Sequence, residues 1–339
     1  MSPLLLACFA VSGFVDAMFG IALVRQFSFS FGSGFLALSL GYGAAIAAFA
    51  AGISWAGPFS LRLKQPRQAF AFIHSVTGVL IAASVAAMAV FSWFAPLAVI
   101  PIFLIGSEAP LLFAALAARR LPSDRLSRIT GGAYACKFAG AALGALLCGF
   151  VLMPYLGFWA TIGLIAVMHL AIAAAAAKSA NIFPAPQLGP AVPAGHVNRI
   201  ILAVIGLAGF CVTASAAVWT RSLAAAAGTS LWSYVSIASV FCFGLAAGFA
   251  ISAWQAPKAR YPEWSLALVG LLTGAFSIGG LFALPLLPRW HVLTFRASDD
   301  SAVLFQAGSM ALLGIVLIPV AILLGATFPL ALQCIQGES

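Results

Sequence analysis

Charged residues are scarce in this chain. Of its 339 residues, 7% are Asp, Glu, Lys or Arg and 63% are hydrophobic, and acidic residues number only 7. A soluble domain needs more charge than this to cover its surface, and a nucleic-acid-binding protein needs a folded basic surface. The composition therefore excludes both classes, in spite of a formal net charge of +9.

The usual sequence motifs of enzymes and metal sites are also missing. The six cysteines form no CxxC pair and fall in apolar segments, so we expect neither disulfides nor a zinc site. The sequence contains no H-E-x-x-H, no G-x-S-x-G and no glycine-rich nucleotide loop. We therefore predict no catalytic residue, no metal and no cofactor, and we leave open whether the chain has any enzymatic role.

Long apolar runs are what the sequence has in abundance. A helix needs about 20 apolar residues to cross the roughly 30 Å hydrocarbon core of a bilayer. We therefore predict an all-α, polytopic transmembrane bundle of about ten helices, with several residues of uncertainty at each end. The predicted spans are residues 4–24, 34–55, 69–93, 96–118, 131–153, 156–177, 199–222, 230–254, 264–287 and 304–333.

The connections between successive predicted spans alternate between those rich in Lys and Arg and those poor in them. One set of connections holds Arg62, Lys64, Arg67, Arg119, Arg120, Arg125, Arg128, Lys178, Arg199, Lys258 and Arg260. The other set holds Arg25, Arg221, Arg289 and Arg296. The positive-inside rule places the richer side in the cytoplasm. We expect a multi-pass protein of the bacterial inner (cytoplasmic) membrane with both termini cytoplasmic.

The two ends of the chain resemble each other. At a fixed offset of 196 residues, Gly13 matches Gly209 and Gly52 matches Gly248, and further on IPIFLIGSEAPL resembles IPVAILLGATFPL. We interpret this as a duplicated four-helix unit, the first four and last four spans, in parallel orientation because six spans separate corresponding helices. The predicted domains are a first repeat at 1–120, an intervening helix pair and cytoplasmic linker at 121–198, and a second repeat at 199–339.

Proline and glycine interrupt the fourth and tenth spans at matching places. Such interruptions free backbone groups that neighbouring helices or cavity water must satisfy, and matched interruptions often mark a transporter's binding site. Two interpretations stay open, a pair of packing kinks or a ligand or ion site. The candidate helix-break positions are Pro101, Gly106, Pro110, Pro319, Gly325 and Pro329.

Three segments resemble one known family. They are SGFVDAMFGIALVRQ at 12–26, YACKFAGAALGALLCGFVLMPYLG at 134–157 and GATFPLAL at 325–332. They resemble the membrane half of the fused transporter-like (MFS-like)/spermidine synthase-like proteins. In that family a cytoplasmic aminopropyltransferase-like domain commonly follows the last helix. Here the chain stops a few residues after the last motif, so we expect the soluble domain and its activity to be absent.

Ionisable residues inside the predicted spans form a candidate polar site. Glu108 stands where the resembled family has threonine, and Lys137 where it has asparagine. At 1.5 Å per residue, these two lie at depths within about 5 Å of each other, and a buried charge needs a partner, so we predict that they pair. The pair is either part of a protonatable site on a solute path or a structural lock. The full candidate set is Glu108, Lys137, His74, His169 and Asp16.

Two functional hypotheses follow from these patterns. The favoured one is a transporter-like integral membrane protein that binds or moves a small solute, which the family resemblance suggests is a polyamine-like amine. The alternative is a non-transporting anchor or assembly subunit, either of a larger membrane complex or of a separate cytoplasmic spermidine synthase-like partner. The expected partners are the lipid bilayer, a small solute under the first hypothesis and a protein under the second, and in neither case nucleic acid.

Overall fold

The described part of the chain is helical throughout. The computed structural model describes residues 3–32, 35–60, 63, 66–90, 99–111, 123–178, scattered positions between 203 and 223, 230–255 and 261–337. Within these ranges helices are joined by turns and no strand occurs. The predicted all-α class is therefore confirmed.

Helices of 8 to 36 residues make up this architecture. In chain order the described α-helices are α1 (Pro3–Phe31), α2 (Phe35–Ser60), α3 (Pro66–Val90), α4 (Val99–Gly106), α5 (Ser123–Leu147), α6 (Met153–Lys178), α7 (Leu231–Gln255), α8 (Pro262–Ala283), α9 (Leu287–Ala297) and α10 (Ala302–Gly337). A π-helical turn, Cys148–Leu152, joins α5 to α6, and a 3-10 turn, Leu284–Leu286, joins α8 to α9.

Seven helical stretches among the described residues are long and apolar enough to cross a membrane. One of them, Arg125–Lys178, covers two predicted spans, and the shorter apolar helix Val99–Leu111 covers part of the fourth. The seventh predicted span, 199–222, lies largely outside the described residues. The observed helices are thus consistent with about ten spans.

A single glycine divides the longest of these stretches. Gly157 has φ 81° and ψ 169°, a conformation that a side chain with a Cβ rarely adopts. The chain therefore turns at the end of the Leu-Met-Pro-Tyr-Leu-Gly segment. This is the place at which the sequence predicts the boundary between the fifth and sixth spans.

The chain forms two compact units. Unit 1 comprises Met1–Pro122 and Leu147–Val192, and unit 2 comprises Ser123–Leu146 and Pro193–Ser339. Helices α1–α4 and α6 therefore belong to unit 1, and α5 and α7–α10 belong to unit 2. This grouping divides the predicted intervening helix pair between the two units. The predicted domain boundaries and the parallel repeat stay predictions.

In unit 1, two glycines bring α2 and α4 into backbone contact. A Cβ at Gly52 would overlap the carbonyl oxygen of Phe103, and a Cβ at Gly106 would overlap that of Phe49. Across the same contact, the hydroxyl of Ser107 donates to the carbonyl oxygen of Gly52 at 3.3 Å. Small residues of this kind let membrane helices approach closely. We call this contact the unit 1 glycine seam.

Unit 2 contains a reciprocal contact of the same kind between α7 and α10. A Cβ at Gly248 would overlap the carbonyl oxygen of Ile322, and a Cβ at Gly325 would overlap that of Leu245. We call this the unit 2 glycine seam. Each seam thus uses one glycine from each helix, and each glycine meets a backbone carbonyl of the other helix.

Aromatic side chains pack beside the unit 2 seam. Tyr134 and Phe138 of α5 stack on Phe249 of α7, with ring centroids 5.2 and 5.4 Å apart. Phe328 of α10 meets Tyr134 edge-on at 5.5 Å. Offset-stacked and edge-to-face geometries are those that aromatic pairs prefer. This aromatic cluster ties α5, α7 and α10 together.

The predicted helix breaks differ between the two units. Helix α4 ends at Gly106, Ser107 forms a turn, and helix resumes at residue 108. Helix α10 instead is continuous through Pro319, Gly325 and Pro329, and the interruptions predicted at these residues stay predictions. Gly325 serves close packing, and each proline removes one backbone donor from a long helix whose neighbours hold it in place. The remaining two candidates, Pro101 and Pro110, are buried on either side of the Ser107 turn.

Candidate functional site

Five polar side chains of unit 1 form one buried group, which we call the polar cluster. Ser12 and Asp16 come from α1, His74 from α3, Glu108 from the helical residues after the α4 break, and His169 from α6. Four of the five are at most 1% exposed, and Asp16 is 12% exposed at its side chain. The cluster therefore lies inside unit 1, with Asp16 as its most accessible member.

A serine hydroxyl joins the two carboxylates. Ser12 Oγ donates to Glu108 Oε2 at 2.6 Å, and the same hydroxyl lies 3.3 Å from Asp16 Oδ2. Ser12 and Asp16 are four residues apart on α1, so they share one helix face. A serine has one proton to donate and can accept as well. It can therefore donate to Glu108 while accepting a hydrogen bond from a protonated Asp16.

Two imidazoles complete the cluster. His74 Nε2 lies 3.3 Å from Glu108 Oε1, and His169 Nε2 lies 4.0 Å from Asp16 Oδ1. Between the histidines, the two Nδ1 atoms are 3.1 Å apart, within hydrogen-bond distance. The contacts thus run in a closed circuit from Asp16 through Ser12, Glu108, His74 and His169 back to Asp16.

Close packing of α3 on α6 fixes the two imidazoles. A Cβ at Gly78 would lie 2.9 Å from the carbonyl oxygen of Ala166 and 3.2 Å from Cβ of His169. His74 lies one turn before Gly78 on α3, so its ring meets that of His169 across this contact. Phe70, one turn further back, packs against His74 with ring centroids 4.4 Å apart. The packing of the two helices therefore brings the two imidazoles together.

The unit 1 glycine seam fixes Glu108. Ser107, which forms the turn after α4, places its hydroxyl 3.1 Å from the carbonyl oxygen of Phe103 and 3.3 Å from that of Gly52. The residue that follows the turn is thereby anchored to both α4 and α2. In this position Glu108 meets Ser12 of α1 and His74 of α3.

The structure brings together four of the five predicted site residues. Asp16, His74, Glu108 and His169 meet in the polar cluster, although no sequence pattern indicated a contact between the two histidines. Lys137 lies on α5 in unit 2, and its predicted pairing with Glu108 stays a prediction. Sequence reasoning missed Ser12, although its place four residues before Asp16 was a usable signal.

The chemistry that this arrangement supports is proton binding and transfer. Buried carboxylates and imidazoles in contact titrate as one coupled system, and histidine is the side chain whose charge changes most easily near neutral pH. The hydrogen bonds and close polar contacts among the members place their exchangeable protons within one buried group. Among the described residues, no group of three or more His, Cys, Asp or Glu side chains could hold a metal ion.

Comparison with known proteins supports the fold. Among the solved structures that match is a crystal structure of a single-substitution variant of the E. coli fucose:proton symporter FucP. The match has a TM-score of 0.56 and 16% sequence identity, and it covers 99% of this chain and 88% of the symporter chain. The chain therefore has a helical fold similar to that of this symporter.

Sequence-level comparison gives no family. No protein-family model matches the chain, and no curated protein matches it. Membership of the fused transporter-like/spermidine synthase-like family therefore stays a prediction.

Proposed function

We propose that this protein is a proton-coupled transporter of a small solute, in which the polar cluster of unit 1 binds the coupling proton. The observation that carries the proposal is the closed Asp16–Ser12–Glu108–His74–His169 circuit, buried within membrane-spanning helices. In this proposal the transporter-like fold carries the solute, and the polar cluster binds the proton.

Its composition distinguishes the cluster from a simple structural lock. Ionisable residues inside a membrane cost several kcal/mol each unless they are compensated, and they commonly mark ion paths and proton relays. A lock between two helices needs one acid and one base. This cluster contains two acids and two histidines drawn from several helices, which exceeds that need and provides exchangeable protons.

The two carboxylates differ in exposure, which indicates where protons enter the circuit. The Asp16 side chain is 12% exposed, whereas that of Glu108 is 1% exposed. We infer that Asp16 exchanges protons with the surroundings. A proton on Asp16 can be donated to Ser12 Oγ while Ser12 donates to Glu108, so the deeper carboxylate gains or loses charge without reaching water itself. A change in buried charge then biases the conformational equilibrium of the unit.

The acids available in unit 1 bear on the choice of solute. Asp16 and Glu108 are the acidic residues in the sequence of this unit, and both take part in the circuit. A polyamine would have to draw these carboxylates away from their serine and histidine partners. We therefore propose a small polar solute, and we keep spermidine as a test compound for the amine predicted from the family resemblance.

Proton movement in reconstituted vesicles tests the proposal. The purified protein is placed in liposomes that contain a pH-sensitive dye, and L-fucose, spermidine and leucine are added in turn. We expect at least one solute to drive proton flux. Because a glutamine cannot carry the proton, Glu108→Gln should reduce this flux at least tenfold. The matched control is Thr327→Val, since Thr327 follows Gly325 in unit 2 as Glu108 follows Gly106 in unit 1.

Two results would contradict the proposal. One is solute uptake by the wild-type protein without proton movement, and the other is equal solute-driven proton flux in Glu108→Gln. Absence of flux with every solute, together with recovery of a stable protein complex from native membranes, would instead favour the anchor or assembly subunit predicted as the alternative.

A further inference from the structure

We propose that the bond between Nδ1 of His74 and Nδ1 of His169 is a proton-counting latch, which holds α3 to α6 while the two rings share one Nδ1 proton and opens when both rings become cationic. The inference rests on the proposed proton site and names how that site is regulated. It is carried by the 3.1 Å contact and by the packing around it.

The geometry limits how many protons the pair can hold. Two nitrogens 3.1 Å apart form a hydrogen bond when one is a donor and the other an acceptor. A neutral imidazole offers one of each, whereas an imidazolium donates from both nitrogens. Two imidazolium rings would set two N–H groups against each other. The closed latch therefore admits one cationic ring and excludes two.

Each histidine has its own carboxylate, so both can be charged once the latch opens. His74 Nε2 faces Glu108 on the segment after α4, and His169 Nε2 faces Asp16 on α1. These two acids contact the Nε2 atoms of the rings from neighbouring elements. The first added proton is accommodated inside the circuit, whereas a second must separate the rings.

An unused acceptor lies on α3. The hydroxyl of Thr77 is buried and has no hydrogen-bond partner within the described residues. Thr77 is three residues after His74, on the same helix face. An N–H released from the histidine pair can therefore donate to this hydroxyl, which gives the displaced ring of His74 a polar contact in the open state.

Nitrogen NMR of labelled histidines tests the latch directly. The chain has 4 histidines, and His196→Gln removes the one that lies outside the described residues. At neutral pH, the protein in lipid nanodiscs should show one bare and one protonated Nδ1 for the pair, with a coupling between them. His291 is the internal reference, because its Nδ1 lies 3.0 Å from the carbonyl oxygen of Leu287 and must be protonated to donate.

Acidification should remove the bare Nδ1 signal and the coupling together, while the His291 Nδ1 signal stays protonated. In Thr77→Val the neutral spectrum should be unchanged, and the bare signal should persist to lower pH because the released N–H has lost its acceptor. Two protonated rings that remain coupled would overturn the latch, as would two bare Nδ1 atoms at neutral pH. A transition unaffected by Thr77→Val would remove that hydroxyl from the mechanism.

This experiment separates the latch from the transport proposal because it needs no solute. A positive spectrum from a protein that takes up solute without proton movement would refute the proposed function and leave the latch standing. Normal proton-coupled transport with the wrong spectrum would refute the latch and leave the function standing.

Discussion

The two units use the same backbone contact for different chemistry. In unit 1 the seam glycine Gly106 is followed two residues later by Glu108, which enters the polar cluster. In unit 2 the seam glycine Gly325 is followed at the same distance by Thr327, whose hydroxyl donates to Leu323 within its own helix at 3.1 Å. Close packing is therefore common to both units, whereas the buried acid is particular to one.

A second difference lies in what fills the space beside each seam. Unit 1 has the polar cluster, and unit 2 has the aromatic cluster of Tyr134, Phe138, Phe249 and Phe328. Stacked rings contribute apolar burial and dispersion, and the phenylalanines among them have no proton to exchange. Substitutions should therefore be able to change helix packing without changing proton binding.

The largest effect is expected from filling a seam. Gly52→Ala or Gly248→Ala places a methyl group on a backbone carbonyl oxygen, and a backbone clash cannot be relieved by a rotamer change. Each should cost about 3 kcal/mol or more and sharply reduce the yield of monodisperse protein in detergent. Gly43→Ala is the control on α2, because nothing lies within 4 Å of its added Cβ. Equal losses for Gly43 and Gly52 would refute the seam.

A smaller loss is expected when the serine bridge is removed from unit 1. Ser12→Ala leaves a buried carboxylate without its 2.6 Å donor, which should cost about 1–3 kcal/mol in thermal unfolding. Ser239→Ala in unit 2 is the control, since that hydroxyl donates to Val235 of its own helix at 2.7 Å and its loss should cost about 0.5 kcal/mol or less. If Ser12→Ala left the thermal stability unchanged, the hydroxyl would not contribute to the circuit.

Trimming the aromatic cluster should change stability without changing proton binding. Phe249→Leu leaves a small cavity between α5, α7 and α10, with an expected cost of about 1–2 kcal/mol. Proton uptake by the variant should equal that of the wild type, because the residue lies in unit 2 and no cluster member is altered. An uptake clearly below the wild-type value would show that the two properties are not separable.

The smallest effect is expected at Thr327. Thr327→Val keeps the side-chain shape and removes a hydroxyl that bonds within α10, so the free energy of unfolding should change by about 0.5 kcal/mol at most. Thermal unfolding and solute-driven proton flux should both match the wild type. A marked loss of flux would show that unit 2 also has a functional polar group, which would contradict the assignment of proton binding to unit 1 alone.

Much of the fold could be predicted from sequence because the physical signals are local. Apolar length predicts the spans, and the turn at Gly157, whose positive φ few residues other than glycine can adopt, lies near the predicted boundary between the fifth and sixth spans. The matched glycines, Gly52 and Gly248, proved to be backbone contacts in both units. Helix α10 continues through Pro319 and Pro329 because proline in a long packed helix can be accommodated without ending it.

The site was only partly predictable because its contacts are between helices. The sequence predicts Asp16, His74, Glu108 and His169, with Lys137, as one candidate set because all are ionisable residues inside spans, but it does not predict which of them are in contact. Their grouping depends on α6 packing in the same unit as α1–α4, which hydropathy cannot indicate. The hydroxyl of Ser12 carries no charge, so the pattern of ionisable residues does not indicate it.

Counting protons is the most direct test of the central claim that the polar cluster binds a proton. Wild-type protein and the double variant Asp16→Asn/Glu108→Gln are taken from about pH 8 to about pH 5 in weakly buffered detergent with an indicator dye, the range in which histidines titrate. Groups outside the cluster cancel in the difference between the two samples. If the polar cluster binds a proton, the wild-type chain takes up at least one proton more than the variant. Equal uptake by the two folded proteins would contradict proton binding by the cluster.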